Sequence, residues 1–228
     1  MTYILSSNVP ELVPFLAMIA FKIPPALTVL QILAIDLGTD MLPALALGAE
    51  LPEAGIMQQR PRPKNKPLLD RGLLLRAYGF IGMIEAIAGM AGFFLVWWSG
   101  YAIADIQRVT PAILAHTADP TVTAIYQQAT TMTLAAIVAC QVGNIFACRS
   151  DRASIFKIGW FSNRLVWVGI AVDLSLLLAI INIAPLSHIF GTGALTSWQW
   201  LILLVCPPIV LIADELRKQL VRTKIKPI

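Results

Sequence analysis

Ile32-Leu33-Ala34-Ile35-Asp36-Leu37-Gly38-Thr39-Asp40-Met41-Leu42-Pro43-Ala44 lies inside a hydrophobic segment long enough to enter a membrane, yet it carries two carboxylates four residues apart. An acidic side chain in lipid costs about 2.5–3.5 kcal/mol on insertion scales, so such residues are kept for function. Gly38 and Thr39 lie between the two acids and Pro43 follows. That composition predicts a helix that breaks at bilayer depth and exposes backbone carbonyls.

The surrounding chain fits a membrane setting. It has 228 residues, 57% hydrophobic and 13% charged, with a mean hydropathy of +0.75. Soluble domains carry about 25% charge, so the protein is read as integral to the lipid bilayer. The N-terminus has no basic stretch and no small-residue cleavage site, so no removable signal peptide is expected. Cys140, Cys148 and Cys206 form no Cys-x-x-Cys pair and are read as buried free thiols. There is no internal repeat, and no nucleic-acid partner is expected.

The fold class expected is all-α: a polytopic membrane protein with six transmembrane helices, the first two partly unwound around ion ligands. Residues 1–228 form a single membrane domain. Its hydrophobic stretches run over about 3–21, 25–47, 73–98, 127–148, 165–185 and 196–213, each near the roughly 20 residues a spanning helix needs. The first is short and reads as the end of a longer helix. Fifteen of the 17 Lys and Arg residues fall in the loops at about 49–72 and 149–164, the start of the third span and the tail; Lys22 and Arg108 are the exceptions. The positive-inside rule places those loops and both termini in the cytoplasm, and the plasma (cytoplasmic) membrane is the expected location. The proline- and cation-rich stretch 52–67 reads as a solvated linker. Trp97, Trp98, Tyr101, Trp198 and Trp200 are expected at membrane interfaces.

Within the spans, Ser7, Asn8 and Glu11 share one helical face, as do Asp36 and Asp40. Pro10 and Pro14 free carbonyl oxygens beside them. A short turn near Lys22 makes the two spans antiparallel neighbours. The five side chains and Thr39 offer oxygen without sulfur or imidazole, the donor set of hard cations. Three carboxylates in one apolar pocket cannot all stay ionised without cations or protons. The pocket would take alkali or alkaline-earth ions, or protons when empty. Gln141 and Asn144 face one way on the fourth span and either add ligands or join helices. Asp173 is a lone acid suited to a proton site. Glu85, near Gly79, Gly82 and Gly89, reads as packing or a polar contact. Asp214 and Glu215 beside Arg217 and Lys218 read as a satisfied charge cluster.

Ser6-Ser7-Asn8-Val9-Pro10-Glu11, followed by Asp36-Leu37-Gly38-Thr39-Asp40-Met41-Leu42-Pro43-Ala44, resembles the ion-binding spans of type II P-type cation-transporting ATPases. Ile56-Met57 with Arg60-Pro61-Arg62 resembles the loop after that family's sixth helix, Gln141 to Asn144 its eighth helix, and Asp214-Glu215-Leu216-Arg217-Lys218 its tenth. The resemblance implies helices five to ten of a ten-helix pump. It implies that Ser7, Asn8, Glu11, Asp36, Thr39 and Asp40 coordinate transported cations, with Gln141 and Asn144 completing a site. Asp36 is similar to the sodium/potassium and proton/potassium pumps, and Ser7 to the sodium/potassium type. The cargo implied is Na, K, Ca or H. The stretch after Tyr101 lacks the Ser-Tyr-Gly-Gln pattern with which animal pumps hold a beta subunit, so no beta subunit is expected.

The chain contains no Asp-Lys-Thr-Gly, Thr-Gly-Glu or Gly-Asp-Gly motif, and phosphoryl transfer needs placed phosphates, magnesium and an acceptor. Mg and ATP would act only through cytoplasmic domains outside this chain. No ATPase activity is expected from it alone. The expected partner is the N-terminal half of a pump, in cis or as a split chain. Two other classes stay open: a self-contained secondary transporter or channel, which usually shows inverted repeats, and a non-transporting scaffold subunit.

Overall fold

A computed structural model describes residues 1–52, 67–100 and 105–224. The linker residues 53–66, with Ile56, Met57 and the cations at 60–66, lie outside the described residues, as do Tyr101 and Lys226. The described residues are helical with no strand. Among the described residues six helical stretches are long and apolar enough to cross a membrane: Thr2–Phe21, Val29–Gly48, Arg71–Gly100, Pro120–Cys148, Arg164–Asn182 and Ser197–Thr223.

Local chemistry sets where each helix starts and stops. Helix α1 (Thr2–Phe21) ends at Lys22, which adopts a left-handed conformation, and Pro24 and Pro25 cannot continue it. Helix α2 (Val29–Ala34) starts at a capping box in which Gln31 N donates to Thr28 Oγ1 and Thr28 N to Gln31 Oε1. It widens into a π turn, π1 (Ile35–Thr39), and resumes as α3 (Met41–Gly48). The third span is α4 (Arg71–Leu74), a second π segment π2 (Leu75–Ile81) and α5 (Gly82–Gly100). Helix α6 (Ile106–Leu114) crosses the following loop, and α7 (Pro120–Cys148) opens with proline in its first turn. A short α8 (Ile155–Ile158) leads to α9 (Arg164–Asn182), α10 (Ala184–Phe190), α11 (Ser197–Leu203) and α12 (Cys206–Lys224). Pro207 and Pro208 explain the interruption between α11 and α12.

The expected unwinding takes a milder form. The first span is one continuous helix although it holds Pro10 and Pro14. Pro10 leaves the Ser6 carbonyl without its usual donor, and the third span packs closely over that point: a methyl placed on Gly82 would lie 2.8 Å from Ser6 O. In the second span the winding changes only over one π turn, a feature often found at functional sites.

Helix α7 is the hub. In its most apolar 18-residue window 89% of positions are buried inside the protein, against 33–44% for the other spans. Helices α5 and α12 lie along it through glycine contacts. A methyl on Gly143 would sit 2.4 Å from Pro207 O, and one on Gly92 3.1 Å from Met132 Cγ. Small residues let membrane helices approach this closely. Trp97 is fully buried and stacks on Phe93 at 6.1 Å. Trp98 is exposed.

At the end of the bundle where the basic loops gather, the C-terminal carbonyls of α7 meet cations. Ala147 O, near the end of α7, accepts from Arg76 Nη2 at 3.0 Å and Lys218 Nζ at 3.1 Å. Cations suit a helix C-terminus. Asp214 holds the same group together, pairing with Lys218 at 2.9 Å, Arg217 at 2.8 Å and Arg76 at 3.2 Å. Arg76 also pairs with Asp151. The expected charge cluster is therefore satisfied, but it is buried and draws in the third span.

Candidate functional site

Asp40 follows the π turn and is nearly buried. Its Oδ1 accepts a hydrogen bond of 2.6 Å from Gln141 Nε2 on α7 and a longer one, 3.4 Å, from Tyr3 on α1. Thr39 donates to Ile35 O at 3.1 Å and lies 3.4 Å from Gln141 Oε1. The π turn thus turns Thr39 and Asp40 inward together. Asp36, one turn earlier, is exposed on the outer face of the bundle, as is Asn8 on α1.

On α1 the polar face is split. Ser7 is buried and its hydroxyl donates to Ile4 O at 3.0 Å. Ser6, which the sequence reading did not select, accepts from Asn144 Nδ2 at 2.8 Å and donates to Tyr3 O. Glu11 is nearly buried, with Oε1 lacking a hydrogen-bond partner. It feels the charge of Asp36 and Asp40 directly. So Ser7, Glu11, Thr39, Asp40, Gln141 and Asn144 gather inside the bundle, whereas Asn8 and Asp36 form its exposed margin.

The carboxylates do not close into a cage. Among the described residues no three His, Cys, Asp or Glu side chains lie close enough to hold one metal ion. Asp40 is held toward Gln141 and Tyr3. Neutral oxygens would have to supply much of any coordination shell, as hard monovalent cations allow.

Three further polar residues lie near the site. Tyr3 joins the site through Asp40; its place two helical turns before Glu11, via Ser7, was the available signal. Asp173 on α9 is buried, with Oδ1 unpartnered, and lies in electrostatic reach of Asp40. Glu85 on α5 is fully buried, and neither of its oxygens has a hydrogen-bond partner. The buried bases Arg76 and Lys218 are occupied in the Asp214 cluster, so no described basic side chain neutralises these acids.

A second polar group lies near the basic end. Arg149 forks onto Glu50 at 2.6 and 3.1 Å, and Asn163 donates to the same carboxylate at 2.9 Å. Burial alone would raise the Glu50 pKa, but the hydrogen bonds from Arg149 and Asn163 and the Arg149 charge outweigh it and hold the group below its ordinary 4.5.

Comparison with known proteins adds a family. The sequence model described as cation transporting ATPase, C-terminus, matches residues 24–220. The sodium/potassium-transporting ATPase subunit alpha-4 of Rattus norvegicus is 31% identical over 97% of this chain. The alpha-2 subunit of Bos taurus and the alpha-1 subunit of Catostomus commersonii are each 30% identical over 96%. The chain spans 23% of the length of each of these relatives.

Proposed function

The chain belongs to the cation-transporting ATPases as a C-terminal membrane region of a P-type pump, and from that premise we propose that its first two spans hold the transported cation. The observation that carries this reading is Asp40. It is an acid at mid-span, nearly buried, held by Gln141 and Tyr3 yet with no basic partner. A carboxylate so placed needs a cation or a proton.

In this reading Ser7, Glu11, Thr39 and Asp40 face the ion, Asn8 and Asp36 close it from the open margin, and Gln141 and Asn144 hold the second and first spans to the hub while adding oxygen. Further helices of the complete pump would cover Asn8 and Asp36. The cargo is a monovalent cation, Na or K, as in the names of the relatives; Ca or H are the alternatives the donor set permits. Residues 1–228 act as one membrane domain. Both termini and the loops at 49–72 and 149–164 face the cytoplasm of the plasma membrane, following the basic residues. Mg and ATP act on domains supplied by the rest of the pump, and no beta subunit is required.

Transport needs two arrangements with different cation affinity, because a ligand shifts an equilibrium only through that difference. The π turn is the natural place for the change, since rewinding it by one residue would rotate Asp36 relative to Asp40. The experiment is cation protection of the complete pump against thermal unfolding. Na or K at a hundredfold excess over Kd stabilises the folded pump by about 2.7 kcal/mol through mass action and so raises its midpoint, and Asp40→Asn removes the effect. Equal protection in both proteins would overturn the assignment.

A further inference from the structure

Cys140 and Cys206 take part in neither the cation site nor the charge cluster. Cys140 lies on α7, Cys206 opens α12, and both are buried. Their side chains meet between the two helices, close enough to hydrogen-bond to each other. Cys206 Sγ also reaches Ile202 O, at 3.9 Å. The third thiol stands apart. Cys148 is about two turns further along α7 and donates to Asn144 Oδ1 at 3.1 Å.

The backbones beside the pair almost touch. Gly143 is one turn below Cys140, and a methyl on it would lie 3.0 Å from Pro207 Cα, the residue next to Cys206. A disulfide needs Cα atoms about 4.4–6.8 Å apart, and helices this close provide that without moving. One side of the pair is open to lipid. A cavity of about 190 Å³ lies between the third, fourth and sixth spans, lined by Gly92, Leu95, Met132, Val205, Cys206 and Ile209 among others, with no charged side chain. Leu95, Val205 and Ile209 are exposed on the outer surface of the bundle. A charged reagent would lose its hydration on entering such a cavity. A cavity of about 150 Å³ accepts benzene, so this one has room for a flat six-membered ring.

We propose that Cys140 and Cys206 are a dithiol modification site, oxidised to a disulfide by a neutral, lipid-soluble quinone that reaches Cys206 through this cavity. The step balances with the quinone as oxidant. Two S–H bonds break and one S–S bond forms. The two electrons and two protons pass to the quinone, which leaves as the quinol. Quinones accept thiol-derived electrons in this way in oxidising compartments. The new bond joins the start of α12 to the hub helix and closes a long loop, which restricts the unfolded chain. Gly143 then has a second consequence beyond packing, since it sets the two cysteines within bonding reach. The pair lies outside the residues proposed to meet the cation, so it stands independently of that reading.

A short-chain ubiquinone analogue tests the proposal on the complete pump in lipid nanodiscs. After exposure the protein is denatured, its free thiols are alkylated, and the peptides are identified by mass spectrometry. The expected product is a peptide joining Cys140 to Cys206, reversed by dithiothreitol, with Cys148 still alkylated. Tetrathionate, a dianionic oxidant, should form the same link at least roughly tenfold more slowly, because it does not enter the apolar cavity. Oxidation should raise the unfolding midpoint of the wild type by several degrees. Cys140→Ser and Cys206→Ser, each shown by its own reduced midpoint to be folded, should give neither the linked peptide nor the rise. Cys140 and Cys206 both still free in the quinone-treated wild type would overturn the proposal. Linking by tetrathionate as fast as by the quinone would overturn it too, since the lipid route would then play no part.

Discussion

Gln141 Nε2 lies 2.6 Å from Asp40 Oδ1, joining the hub helix to the point where the second span leaves its π turn. The two residues are 101 positions apart, and the bond fixes which way the Asp40 carboxylate points. Replacing Gln141 by Ala removes that donor. Apparent cation affinity of the complete pump should fall roughly ten- to hundredfold, the value of a hydrogen bond to a charged group. Ion-stimulated turnover against cation concentration measures it. An unchanged half-saturating concentration would mean that Gln141 only packs the helices.

The contact of Gly143 with Pro207 is the tightest test of the hub. A methyl there would fall 2.4 Å from a backbone oxygen, which no side-chain adjustment relieves. Gly143→Ala should destabilise the protein by about 1–3 kcal/mol or more. Gly48→Ala, where nothing lies within 4 Å, serves as the control and should be neutral or slightly stabilising. Thermal midpoints of the two purified variants in detergent decide the matter.

Lys218 and Asp214 are both fully buried. Removing one charge of such a pair strands the other, at a cost of about 3–5 kcal/mol. Lys218→Met and Asp214→Asn should therefore each destabilise strongly. The double variant should lose clearly less than their sum, because the pair is coupled. Strict additivity in denaturation measurements would contradict the pairing.

Glu50 makes a pH prediction with a definite sign. Its pKa in the folded protein lies below 4.5 because Arg149 and Asn163 favour the charged form despite burial. The stability it adds is fully present above the unfolded value and is lost as pH falls through the folded value. Glu50→Gln should be less stable than the wild type at neutral pH, by about 1.5–3 kcal/mol. The gap should narrow once the medium is acidified below pH 4.5. Unfolding midpoints of the two proteins across that range show whether it does.

Much of the fold was legible because lipid leaves few options. Apolar length marked six helices, and the charged loops separated them. The degree of unwinding was overestimated: the first helix runs continuously through Pro10 and Pro14, with Gly82 packed over the Ser6 carbonyl. Local spacing grouped Ser7 with Glu11 and Asp36 with Asp40. It did not reveal that Asp36 faces outward, since the π turn breaks the regular helical spacing between them. Glu85 beside its glycines reads as packing or a polar contact, and the acid is fully buried on α5.

The central claim is that Asp40 is a ligand of the transported cation. The most direct measurement is cation-stimulated ATP hydrolysis by the complete pump, wild type against Asp40→Asn, over a concentration series of Na, K and Ca. The expected result is that the substitution abolishes stimulation by the native cation, or moves it to far higher concentration, with the protein still folded. Stimulation of the same size at the same concentrations in both proteins would contradict the account.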